Sequence, residues 1–204
     1  MAAAEALWHT EDPAGFTVIA SIDEEKGENN FEIIIPKMLS FMLYNSFEGE
    51  VKGIHDLQAE MVAEYGEGDY IPPVTVCFWS FRAMVAAGVL MIGLALAAMV
   101  LTGKGKTIQY RFLLKTMGLG IALPYIANSA GWILAEMGRQ PWIVYGLQTV
   151  YEGVSASVSG TEVLISLIGF ALVYTVLAVV DVYLLAKYGV KDVAVSEELA
   201  VKEV

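Results

Sequence analysis

Three long apolar stretches constrain most strongly what this chain can fold into. Residues 83–102 carry no charged side chain, residues 112–135 carry only Lys115, and residues 163–186 carry only Asp181. A helix of about 20 residues is about 30 Å long, which matches the hydrocarbon core of a bilayer. Open strands would leave backbone groups unpaired in lipid, so each stretch is predicted to form a membrane-spanning helix.

Charge divides the chain into an acidic segment and a nearly neutral one. Residues 1–74 hold fifteen acidic side chains and three lysines, whereas the rest of the chain holds eight acidic and nine basic side chains. The hydrophobic fraction of 56% is typical of a membrane protein. The sequence therefore predicts an all-α membrane protein, with three transmembrane helices and an N-terminal extracytoplasmic loop domain. An acidic surface of this kind does not suit nucleic acid, which needs a basic footprint.

The predicted organisation has three parts. Residues 1–74 form an external loop segment with short helices, residues 75–190 form the membrane domain, and residues 191–204 form a cytoplasmic tail. Apolar side chains recur at helical spacing within residues 53–65, which predicts an amphipathic helix. Residues 31–44 are apolar but are interrupted by Pro36-Lys37, so they are expected to lie at the membrane interface rather than to span it.

Basic residues near the ends of the spans predict the orientation of the chain. Positively charged side chains favour the cytoplasmic side of a membrane. The connection between the second and third spans has Arg139 as its only basic residue. The opening residues lack the features of a signal peptide. The first connection and the C-terminus are therefore expected in the cytoplasm, with the acidic segment outside. The basic residues behind this prediction are Lys104, Lys106, Arg111, Lys115, Lys187 and Lys191.

Two boundary strings join an arginine to a residue type that ligates iron. Arg82 and Met84 head the first span, and Glu136 and Arg139 end the second. Antiparallel helices would bring these four residues to a similar depth, near the outer surface. Charged groups at a membrane boundary indicate a functional site. Alternatives remain open: Met84 as a packing residue, Glu136 as an interfacial acid, and Trp132, one turn before Glu136, as an interfacial anchor or part of an electron path.

Other reactive residue types have simpler interpretations. Cys77 is the only cysteine and is expected to be a small buried side chain. The only histidines are His9 and His55, which are expected to be solvated or capping residues. Gly105-Lys106-Thr107 lacks the first glycine of a phosphate-binding loop, because position 100 is valine, and is interpreted as a basic turn.

Together these strings closely resemble subunit I of cytochrome bd-type quinol oxidases. In the membrane part, the resemblance rests on residues 81–84, on Gly131-Trp132 and Glu136, and on residues 138–142. In the acidic segment, residues 1–8, 31–36 and 51–54 are similar to parts of that family's external quinol loop. It covers nearly the whole chain but only the C-terminal half of the family's subunit. The chain is interpreted as one half of a split subunit I, because the family's N-terminal spans with their histidine ligands are absent.

The resemblance implies a role for each matching residue. Met84 is similar to the axial methionine of the low-spin haem b, and Arg82 to the arginine beside it. Glu136 is similar to the carboxylate at the high-spin haem b, and Arg139 to the arginine serving propionates there. Trp132 is similar to the tryptophan between the haem centres. Glu5 resembles the loop glutamate that takes a proton from quinol.

The resemblance also implies cofactors, partners and a location. The cofactors would be low-spin and high-spin haem b together with haem d or a further haem b, and the substrate would be quinol. The partners would be a chain carrying the missing N-terminal half, subunit II and small single-span subunits, in a bacterial or archaeal cytoplasmic membrane. Two rival interpretations remain: a non-redox, membrane-anchored binding module, and an orphan remnant without a partner.

Overall fold

A computed structural model describes residues 1–102, 111–155 and 157–189. Two compact units make up the chain, Met1–Gly153 and Val154–Val204. Some of the predictions fall outside the described residues. They concern the basic turn at 105–107, the cytoplasmic tail at 191–204, and the orienting lysines Lys104, Lys106 and Lys191.

The acidic segment folds into short helices and an antiparallel hairpin. The helices are α1 (Ala2–Glu5), α2 (Met38–Tyr44) and α3 (Ile54–Tyr65), and α3 confirms the predicted amphipathic helix. The hairpin pairs β1 (Phe16–Asp23) with β2 (Glu28–Ile35) and was not predicted. Its strands are rich in β-branched residues, and Gly27 in the turn takes a φ of 67°, which favours glycine.

Helix α4 (Val74–Thr102) begins nine residues before the first predicted span. It starts directly after Pro72-Pro73, and the backbone N–H of Cys77 donates to the carbonyl of Pro73 at 3.0 Å. Proline suits the start of a helix because the first N–H groups have no partner within the helix. At 29 residues, α4 is about 43 Å long and exceeds the hydrocarbon core.

The second apolar stretch is interrupted rather than continuous. It forms α5 (Arg111–Gly120) and α6 (Ala122–Met137), which are separated at Ile121. Pro124 has no N–H, and its ring would clash with the carbonyl of the preceding turn, so the break falls just before it. A small hairpin of β3 (Trp142–Val144) and β4 (Gln148–Thr149) follows α6.

The second unit contains α7 (Gly160–Tyr188). Ser159 caps its N-terminus, and the Glu162 carboxylate accepts the Ser159 backbone N–H at 2.9 Å in return. None of its residues is buried. Three helical stretches, Val74–Leu101, Lys115–Met137 and Gly160–Tyr188, are long and apolar enough to cross a membrane, which confirms the three predicted spans.

One core fastens the acidic segment to the first membrane helix. Buried residues of α1, β1 and α3 pack against Val74, Cys77 and Phe78 of α4, and Leu134 and Met137 of α6 lie against the same cluster. Cys77 is buried, as predicted. The start of the chain is therefore held against the first third of α4, and this contact positions the residues described next.

Candidate functional site

Helices α4 and α6 pack against each other in antiparallel register. A Cβ atom built on Gly131 would lie 3.1 Å from the Met84 sulfur, and one built on Gly138 would lie 3.8 Å from the Cys77 sulfur. Met84 and Cys77 are seven residues apart on α4, and their partners Gly131 and Gly138 are seven residues apart in the opposite direction, along α6 and at its end. The register follows from small residues on the facing surfaces, which let the two backbones approach closely.

The register sets the positions of the two residues that can ligate iron. Met84 is half-buried and lies opposite Gly131. Glu136 is five residues beyond Gly131, which is about 7.5 Å along a helix axis. Met84 and Glu136 therefore lie toward the same end of the helix pair but in separate positions, so the structure does not bring them into one ligand set.

Glu136 and Arg139 form a loose, half-exposed ion pair where α6 ends. Their charged atoms are 3.9 Å apart, and their side chains are 46% and 49% exposed. The helix ends at Met137, and Arg139 lies in the turn beyond it. An ion pair this open contributes little to stability, so both groups are free to bind something else. Trp132, one turn earlier, is 67% exposed.

Arg82 and Glu5 form a buried ion pair that sequence reasoning missed. Arg82 Nη2 and Glu5 Oε2 are 2.7 Å apart, with side chains only 11% and 3% exposed. The same guanidinium donates to the backbone carbonyls of Ala4 and Thr17. The two residues are 77 positions apart, and helical spacing alone carries no signal for such a contact.

The guanidinium of Arg82 has one donor left over. Its Nε–H is buried and has no hydrogen-bond acceptor among the described residues. Its Cζ atom lies 3.9 Å from the centroid of the Phe78 ring, a cation–π contact that also limits its movement. A buried, unpaired donor of this kind marks a place where a further acceptor fits.

Burial raises the pKa of the Glu5 carboxyl above its ordinary 4.5, and the hydrogen bond and charge of Arg82 oppose the increase. Glu5 also lines a cavity of about 310 Å³, which is walled by apolar side chains of α4 and α6 that include Phe81 and Leu134. A carboxyl group with a raised pKa beside an apolar cavity is suited to accept a proton from a bound molecule.

An aromatic cluster connects α3 to the hairpin that follows Arg139. Trp142 is 6% exposed, stacks on Tyr70 with ring centroids 5.7 Å apart and meets Tyr65 edge-on at 5.0 Å. Tyr145 lies 5.7 Å from Trp142 on another side. The cluster was not predicted from the sequence, although aromatic residues just before and after the spans were a signal for it.

The ligand atoms and the unpaired hydrogen-bond donor of this region fit haem. Met84 offers a thioether and Glu136 a carboxylate, and Arg82 retains a donor for a propionate. The bare face of Gly131 leaves room for the Met84 side chain. The only histidines of the chain, His9 and His55, lie with their rings 5.1 Å apart in the acidic segment. Among the described residues, no group of three or more His, Cys, Asp or Glu could hold a metal ion.

Comparison with known proteins points to one family. The family model for cytochrome bd terminal oxidase subunit I matches residues 1–193. The chain is 46% identical to cytochrome bd ubiquinol oxidase subunit 1 of Bacillus subtilis (strain 168), over 90% of this chain and 40% of that protein. It is 30% identical to cytochrome bd-II ubiquinol oxidase subunit 1 of Escherichia coli (strain K12), over 93% of this chain and 48% of that protein.

A solved structure agrees with the sequence relatives. A chain of the bd oxidase from Geobacillus thermodenitrificans matches with a TM-score of 0.67 and 30% identity, over 91% of this chain and 40% of the other. The chain thus spans 40 to 48% of the length of these relatives. With its three apolar helices, the chain is an integral membrane protein that belongs to the cytochrome bd terminal oxidase subunit I family.

Proposed function

We propose that this chain supplies part of the haem-bearing subunit of a quinol:oxygen oxidoreductase, and that the histidine-bearing spans of the subunit's N-terminal half complete it. One observation carries the proposal beyond family membership. The buried pair of Glu5 and Arg82 joins the proposed proton acceptor for quinol to the helix that bears Met84. A module that only anchored a partner would have no use for a carboxyl group held in this way.

Met84 is the residue that would ligate the iron of a low-spin haem b, and Arg82 is the proposed arginine beside that haem. Haem supplies, when bound, the one-electron chemistry that connects quinol oxidation with oxygen reduction. The thioether favours the ferrous state and so raises the reduction potential. The unpaired Nε–H of Arg82 would donate to a propionate, while the rest of the guanidinium stays bound to Glu5.

Glu5 is the proposed acceptor of a quinol proton. Its carboxyl opens on the apolar cavity of about 310 Å³, a volume at the lower end of small-molecule sites. Burial raises its pKa, which strengthens it as a base, and Arg82 stabilises the charged form before the proton arrives. After proton transfer Arg82 keeps its hydrogen bonds to the carbonyls of Ala4 and Thr17, so the segment stays in place.

Glu136, Arg139 and Trp132 form the proposed second haem site. The carboxylate of Glu136 would ligate the iron of the high-spin haem, and Arg139 would bind its propionates. Their present ion pair is long and exposed, so little is lost when each turns to the group. Trp132 would lie between the haem centres. The oxygen site would hold haem d or a further haem b.

The complex would include the histidine-bearing spans, subunit II and small single-span subunits, in a bacterial or archaeal cytoplasmic membrane. The acidic segment would lie outside and the C-terminus in the cytoplasm. Quinol protons would leave at the outer face, and the protons that oxygen consumes would come from the cytoplasm. Turnover would then charge the membrane without a pump.

A purification with an affinity tag on this chain tests the proposal. Haem absorption and a chain bearing histidine-containing spans should co-purify, and the preparation should consume oxygen with quinol. The chain expressed alone should not hold the native haem set, because its own histidines lie in the acidic segment. Membranes in which haem absorption does not follow the tag would favour the rival interpretation, a non-redox binding module. A normal haem spectrum from the isolated chain would refute its dependence on the histidine-bearing half.

A further inference from the structure

Gly131 lies directly against the sulfur of Met84. A Cβ atom built on Gly131 would be 3.1 Å from the Met84 Sδ and 3.8 Å from its Cγ. We propose that Gly131 is a positioning residue for the Met84 thioether: its bare backbone is the surface that fixes where the sulfur lies. This inference rests on the proposed function, in which Met84 ligates the low-spin haem.

The distance decides what an added methyl group would do. Non-bonded heavy atoms pack best at about 3.5–4.0 Å, so at 3.1 Å the sulfur would have to retreat by a few tenths of an ångström. A flexible methionine can make such a movement at small cost in packing. An iron–thioether bond would tolerate it less well, because the sulfur would have to stay within bonding distance of the iron.

The helices themselves are poorly able to move apart to relieve the contact. Ala87 of α4 and Ala130 of α6 are 3% and 8% exposed, so small residues next to the contact are already close-packed. On the outer side, the register contact between Gly138 and Cys77 fixes the same pair of elements. The side chain of Met84 is therefore the part that gives way.

Other glycines show that this contact is specific. Nothing lies within 4 Å of a Cβ built on Gly88 or Gly93, which are in α4 with Met84. A Cβ on Gly120 would meet Leu94 at 2.9 Å, which is a packing contact with no ligand involved. Gly88→Ala is thus a control for the loss of a helical glycine, and Gly120→Ala is a control for crowding between α4 and its neighbour.

The experiment compares these variants in the assembled oxidase, with the potential and spin state of the low-spin haem as readouts. Gly131→Ala should lower the midpoint potential and convert part of the low-spin signal to high-spin. Each tenfold weakening of thioether binding in the ferrous state relative to the ferric state corresponds to about 59 mV for one electron. Gly88→Ala should leave both readouts unchanged, and Gly120→Ala should change the yield of complex at most.

Met84→Leu separates the inference from the proposed function. If Met84→Leu loses the low-spin signature and Gly131→Ala behaves like Gly88→Ala, the positioning role is refuted and the ligand assignment stands. If Met84→Leu leaves the haem unchanged, the ligand assignment fails and the inference fails with it. A potential shift in Gly120→Ala as large as that in Gly131→Ala would attribute the effect to helix packing and overturn the inference.

A double variant tests the inference if Gly131→Ala fails to assemble. Met84→Ala removes the sulfur that the new methyl group would meet. If Met84→Ala/Gly131→Ala assembles as well as Met84→Ala, the conflict lies between these two side chains and the inference is supported. If the double variant also fails to assemble, Gly131 serves the packing of α6 and the inference is overturned.

Discussion

Truncation of Trp142 should release the acidic segment from the turn that follows α6. Its indole is 6% exposed and contacts Tyr65, Tyr70 and Tyr145. Replacing a buried tryptophan with alanine costs about 3–5 kcal/mol, of which each aromatic pair accounts for about 0.5–1.5 kcal/mol. Because two of the rings belong to or follow α3, the loss should fall on the contact between α3 and the β3–β4 hairpin.

Hydrogen exchange on the purified complex measures this loss directly. A local destabilisation of about 3 kcal/mol raises the opening equilibrium roughly a hundredfold, so amides of α3 and of the hairpin should exchange about two decades faster in Trp142→Ala. Tyr151→Ala is the matched control, because this aromatic side chain follows the same hairpin but is 91% exposed. It should exchange like the unmodified protein.

The result that refutes this reasoning is a change of less than about tenfold in Trp142→Ala, or one no larger than that in Tyr151→Ala. Tenfold corresponds to about 1.4 kcal/mol, which is below the cost of exposing a packed tryptophan. Faster exchange spread evenly over α4 as well would indicate global unfolding, and the role of the cluster as a local connection would then be wrong.

Four further predictions concern the proposed site. Burial raises the folded-state pKa of Glu5 above 4.5, so its contribution to the free energy of unfolding is full below about pH 4.5 and is lost as the pH rises through the folded-state pKa. Hydrogen exchange of α1, corrected for the intrinsic exchange rate, should show this loss of stability, and Glu5→Gln should abolish the pH dependence. Glu5→Gln should slow quinol oxidation by about 10²–10⁴-fold while an artificial donor still reduces the haems; equal loss with both donors would indicate misfolding. Met84→Leu, similar in volume, should turn the low-spin haem high-spin or lower its potential, and an unchanged spectrum and titration would contradict the ligand assignment. Glu136→Ala should abolish oxygen consumption with the low-spin spectrum preserved, and near-normal respiration would make Glu136 an interfacial acid.

The membrane part of the fold could be predicted because lipid permits few alternatives. An uncharged stretch of 20 residues such as 83–102 is expected to cross a bilayer as a helix, because an open strand would leave its backbone groups unpaired in lipid. Apolar spacing likewise predicted α3, whose inner face packs on α4. The break at Ile121 was foreseeable from Pro124, although the length of the apolar stretch suggested a continuous helix.

The contacts between distant segments could not be predicted in the same way. Span ends give the depth of Arg82 in the membrane, but they do not give the direction in which its side chain points. Its partner Glu5 is therefore visible only in the folded chain. The β1–β2 hairpin escaped prediction because residues 33–35 are three consecutive isoleucines, which do not show the apolar–polar alternation of a half-buried strand.

The ion pair of Glu5 and Arg82 has a consequence for the coupling of proton and electron transfer in the proposed function. It joins α1 to α4 two residues before Met84, so the proposed base is bonded to the helix that bears the proposed ligand. A substrate that gives up a proton and an electron together has to meet both acceptors within the same encounter. Here a charge pair between residues 77 positions apart would hold both proposed acceptors at the same part of α4.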